Sequence, residues 1–79
     1  KRAELAPLRK RIGDADTMIK KLNADLGRLD TALAEADLFA RDPAKAARLA
    51  KTRSDTAQAL ARAEEEWLAA SSDYENANA

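Results

Sequence analysis

Through the first half of the chain an apolar residue returns alternately every third and fourth position: Leu5, Leu8, Ile12, Ala15, Ile19, Leu22, Leu26, Leu29, Leu33 and Ala36. On an α-helix that spacing lays one continuous stripe along one side, the a and d positions of a heptad. On a strand the same residues would scatter over both faces. A helix carrying this stripe runs for roughly 34 residues and about 50 Å. It cannot bury the stripe by itself, so another element must cover it. The second half offers a match from Pro43 to about Tyr74, with Ala46, Leu49, Arg53, Thr56, Leu60, Ala63, Trp67, Ala70 and Tyr74 at the same spacing. This stripe is smaller and more polar, and Ala50 and Ala57 are placed to share its contact.

Between the halves stands Asp37-Leu38-Phe39-Ala40-Arg41-Asp42-Pro43. Asp42-Pro43 reads as a helix start, with Asp as N-cap and Pro at the first helical position, where a missing N–H costs nothing. Pro also pushes the residue before it out of helical geometry. The expected fold is all-α, a two-helix antiparallel coiled-coil hairpin in one domain over residues 1–79. Helix 1 is expected at about 3–36, the turn at about 37–42 with Leu38 and Phe39 covering it, and helix 2 at about 43–74. Asn76-Ala77-Asn78-Ala79 carries no pattern and is expected to fray.

Folding the stripes back on each other sets Leu33 against Ala46, Leu26 against Arg53, Ile19 against Leu60, Ile12 against Trp67 and Leu5 against Tyr74. Arg53 can lie along such a seam with its stem covered and its head in water. Charge agrees with this orientation. Lys1, Arg2, Arg9, Lys10 and Arg11 would meet Glu64, Glu65, Glu66, Asp73 and Glu75, while Glu35 and Asp37 would lie opposite Lys45 and Arg48. Such exposed pairs choose an orientation more than they stabilise it. Gly13 and Gly27 fall off the seam. They read either as exposed glycines or as places where a partner backbone comes close.

Two helices enclose little core, so stability is spread along one line. The 14 basic and 14 acidic residues cancel, so a case for a polyanionic partner has to be local. Without cysteine there is no disulfide framework or thiolate metal site, and without histidine the usual general base is missing. No phosphate-cradling glycine motif occurs, and no uncharged run approaches the ~20 residues of a membrane span. Lys1-Arg2 is not followed by an apolar segment of the kind a signal peptide needs. The reading is a cytoplasmic, non-enzymatic, monomeric hairpin with no cofactor of its own. Its abrupt start inside a helical pattern suggests a piece of something larger.

Glu64, Glu65 and Glu66 are consecutive, so on a helix they fan apart by about 100° each and do not converge on an ion. Trp67 and Tyr74 read as seam plugs, with base stacking as the functional alternative. The local basic concentration is Arg41, Lys45, Arg48, Lys51 and Arg53. Arg41, Lys45, Arg48 and Lys51 are the candidate phosphate contacts, against the alternative of a solvated face.

Leu38-Phe39-Ala40-Arg41-Asp42-Pro43, followed by Leu49 and then Glu64-Glu65-Glu66-Trp67-Leu68, resembles the C-terminal domain of Uup-type ABC-F ATPases. Ala3-Glu4-Leu5-Ala6-Pro7-Leu8-Arg9-Lys10-Arg11-Ile12 is similar to the start of that domain, so the resemblance spans nearly the whole chain. It departs at Phe39, where the family often has Tyr, and at Ala36-Asp37, where Asp-Pro is common. The resemblance implies an antiparallel coiled coil appended to two ATP-binding cassettes, with ATP and Mg held by those cassettes. It also implies DNA, or ribosomal RNA, as partner. The rival reading is a structural coiled coil that docks on the parent ATPase or on another protein.

Overall fold

The computed structural model describes the backbone of residues 2–79 and the side chains from residue 4 onward. Within that span the chain is all-α. Helix α1 covers Arg2–Leu33, a single turn α2 covers Leu38–Arg41, and α3 covers Pro43–Asn78. The Cα atoms extend 59 × 14 × 14 Å. A helix of the 36 residues in α3 is about 54 Å long at the usual rise, so the long axis is the length of one helix and the width is that of two side by side.

Both sequence stripes form the line of contact. In α1, Leu5, Ala15 and Leu22 are buried and Leu8, Ile12, Ile19, Leu26, Leu29 and Leu33 are half-buried. In α3, Ala46 and Ala70 are buried, and Leu49, Arg53, Thr56, Leu60, Ala63, Trp67 and Tyr74 are half-buried. Ala36 is exposed, Ala57 shares the seam, and Ala50 does not. Ion pairs join the start of α1 to the end of α3: Arg11 Nε donates to Glu66 Oε1 at 2.7 Å and its Nη1 to Asp73 Oδ2 at 3.3 Å. Further along, Arg53 of α3 donates from both Nε and Nη2 to Asp30 of α1. Arg53 therefore lies along the seam as expected, and its head rests on a carboxylate. Lys1 and the Arg2 side chain, part of the expected basic start, lie outside the described residues.

The element bounds differ from expectation at three places. Helix α1 stops at Leu33, short of residue 36. The Glu35 amide bonds the Ala32 carbonyl at 3.3 Å and the Leu38 amide bonds the Glu35 carbonyl at 3.2 Å, tightening the chain into turns. Asp37 then takes φ 63°, a left-handed conformation that the short polar Asp tolerates better than most residues. The segment expected to be a plain turn contains α2, whose Arg41 and Asp42 amides bond the Asp37 and Leu38 carbonyls at 2.7 and 2.8 Å. The third difference is the end of α3, where residues 76–78 stay helical. The helix start at Asp42-Pro43 is as read, since the Asp42 carboxylate accepts the Lys45 amide at 3.1 Å.

Candidate functional site

The short α2 splits the two apolar residues that the sequence places together over the turn. Neighbours on a helix point about 100° apart. Leu38 is 1% exposed and anchors the turn, whereas Phe39 is 61% exposed and projects into solvent. The expectation that both residues cover the turn holds for Leu38 alone. The correction is physical: a single helical turn has one inner side, and Leu38 fills it.

The four candidate cations start from this end of the rod but are not equivalent. Arg41, at the end of α2, donates from Nη2 to Glu35 Oε1 at 2.8 Å. That hydrogen bond holds the Glu35 carboxyl below the ordinary range, and the nearby Lys45 charge adds a smaller pull in the same direction. Lys51 reaches Asp55 one turn on at 3.0 Å. Two of the four thus carry an acid beside them. Lys45 and Arg48 are exposed, and among the described residues neither side chain forms an ion pair. They lie in the first two turns of α3, roughly 3 residues and 4.5 Å of rise apart.

The basic start of α1 is more fully matched. Lys10 pairs with Asp14 at 2.6 Å, and Arg11 is shared by Glu66 and Asp73, whose hydrogen bonds and charge raise the guanidinium pKa further. In the middle of α1, Lys21 and Arg28 both bind Asp25, and the Lys21 hydrogen bond leads in lowering its pKa. Arg9, Lys20 and Arg62 are likewise exposed without an ion pair among the described residues, but none has another such cation on an adjacent turn of its helix. Lys45 and Arg48 are the two such cations on adjacent turns of one helix, at the tip, with Lys45 feeling Glu35 at longer range.

Trp67 and Tyr74 are half-buried in the seam, which gives Phe39 the most open aromatic face of the three. The Trp67 Nε1 is buried with no hydrogen-bond partner. Among the described residues no cluster of three carboxylates is arranged to hold a metal, and Glu66 of the acidic run is committed to Arg11. No helix among them is long and apolar enough to cross a membrane. Gly13 and Gly27 face open space, where an added Cβ would meet nothing within 4 Å.

Sequence reasoning did not foresee the Asp30–Arg53 tie or the groove beside it. The groove, about 370 Å³, opens between the long helices and is lined by Asp25, Arg28, Leu29, Ala32, Leu49, Thr52 and Thr56. The small Ala and Thr side chains there leave room that Leu would fill. Of these, Thr56 stands within the stripe of α3, and its small polar side chain at a seam position was the available signal.

No protein-family model matches the chain, and no curated protein or solved structure is similar enough to match it.

Proposed function

We propose that the chain is an antiparallel coiled-coil hairpin that binds nucleic acid at its tip, as an appendage of a cytoplasmic ATPase of the ABC-F kind. DNA is the first partner proposed and ribosomal RNA the second. The observation that carries the reading is the unpaired charge of Lys45 and Arg48 beside the turn, with Arg41 and Lys51 next to them. Phosphate contacts of this sort give affinity with little sequence preference. The nucleotide chemistry would belong to the parent cassettes. This chain has no glycine-rich phosphate loop, and titration of the isolated hairpin with Mg-ATP is expected to be flat.

The test is a salt titration with duplex DNA. Two phosphate contacts give a slope of log affinity against log salt near −1.8, from about −0.9 per contact. Replacing Lys45 or Arg48 by Ala should flatten that slope by about 0.9 and weaken all sequences alike. Replacing Arg41 or Lys51 should do less, because each already has a carboxylate beside it. Charge reversal at Lys45 and Arg48 together should abolish binding with helicity unchanged. Wild-type binding by that double variant would remove the tip from the interface. A second reading, a coiled coil docking on the parent or another protein, draws on the groove at Leu29, Ala32 and Leu49 and on exposed Met18 and Leu68. It predicts that binding is lost on bulky substitution at Ala32 and is insensitive to Lys45 and Arg48.

A further inference from the structure

We infer that Phe39 is a stacking residue, and that the tip therefore takes DNA carrying an unpaired base in preference to continuous duplex. The inference rests on the nucleic-acid reading above and adds to it the feature of the ligand that is recognised. It begins from the division of labour in α2. Leu38 is almost wholly buried and fixes the turn, and its neighbour Phe39 is held facing outward at 61% exposure. Turn closure does not need the Phe39 ring, since Leu38 and the Asp42 cap already supply the inner contact and the helix start.

The surroundings of that ring say what it can meet. Phe39 sits at the same end of the rod as Lys45 and Arg48, whose charges are unpaired among the described residues. An apolar protein surface would have to desolvate these cations without compensation. A nucleic-acid strand offers phosphates for the cations and a flat apolar face for the ring. A base within a continuous duplex has both faces covered by its neighbours, so only an unpaired or displaced base presents one. Stacking on aromatic side chains tolerates any base and is worth about 1–3 kcal/mol per base. That converts to a preference of roughly 5- to 150-fold for DNA with an available base over matched duplex of equal length and charge.

The experiment uses the whole hairpin and two DNA duplexes of equal length, one fully paired and one with a single extrahelical 2-aminopurine. Wild type is expected to bind the bulged duplex at least roughly 5-fold more tightly and to quench the 2-aminopurine fluorescence. Phe39→Ala should bring the bulged duplex down to the affinity of the paired one, leaving the salt slope and the thermal melt in place. Phe39→Trp should keep the preference and the quenching. If Phe39→Ala retains both preference and quenching, the stacking role is overturned while phosphate binding at the tip stands. If wild type binds both duplexes equally, the inference again fails and the reading above survives. If wild type binds neither, the nucleic-acid reading fails and the inference fails with it.

Discussion

The two ends of the rod are closed by different physics. At the tip the work is done by backbone and burial: left-handed Asp37, the amide–carbonyl bonds of α2, the Asp42 cap, and the buried side chains of Leu38 and Ala46. At the open end the buried Leu5 and Ala70 are accompanied by half-buried Trp67 and Tyr74 and by the fork of Arg11 on Glu66 and Asp73. Burial removes apolar surface from water and is not electrostatically screened, whereas exposed ion pairs are screened and contribute little. The tip should therefore be the firmer end.

The sharpest way to break this contrast is at Leu38. Leu38→Ala empties the inner side of α2 and should cost about 2–5 kcal/mol, read as a large fall in thermal midpoint by circular dichroism. A small effect would mean that the turn does not depend on burial. Trp67→Ala should cost less than the ~3 kcal/mol lower bound for a core Trp, because its side chain is only half-buried. Part of what it loses is also offset by removing a buried N–H that has no partner. A loss larger than that of Leu38→Ala would reverse the ranking of the two ends.

Smaller changes sharpen the comparison in the long helices between. Gly13 and Gly27 are exposed in the middle of α1, and an added methyl meets nothing. Each Gly→Ala change should stabilise by roughly 0.5–1 kcal/mol, measured by urea denaturation. The smallest effect expected is that of acid. Hydrogen bonds from Arg53 and Arg41 hold Asp30 and Glu35 below the ordinary carboxylate range. Their contribution is fully present above that range and is lost as pH falls through the depressed folded-state values. Melting temperature should decline over that acidic window, and the double variant Asp30→Asn, Glu35→Gln should decline less.

Most of the architecture was legible because a period of three and four survives any choice of side chain. Each residue of the two stripes but Ala36 stands where its spacing puts it, and of the two alanines placed to share the contact Ala57 does and Ala50 does not. Asp42-Pro43 was legible because cap chemistry is local. The single turn α2 was not, since a four-residue helix has no period to read and exists here because Leu38 is buried. Long side chains escaped for another reason. Arg53 and Asp30 are 23 residues apart, and which carboxylate a flexible guanidinium reaches depends on how the helices rotate about their axes. Of the candidate contacts, the pairing of Lys51 with Asp55 was readable from a spacing of four. The pairing of Arg41 with Glu35 needed the path of the turn.

The turn at Asp37 also has a consequence for the order in which the chain assembles. The contact of Glu35 with Arg41 closes 6 residues, Asp30 with Arg53 closes 23, and Arg11 with Asp73 closes 62. Closure entropy grows with loop length, by about 0.6 kcal/mol for each doubling, but once the inner layer has formed each further layer extends a loop already closed. The contacts between the two long helices should zip from Asp37 outward. Amide exchange should then be slowest beside Leu38 and Ala46 and quicken toward the two termini, and Leu38→Ala should slow folding while Trp67→Ala mainly speeds unfolding.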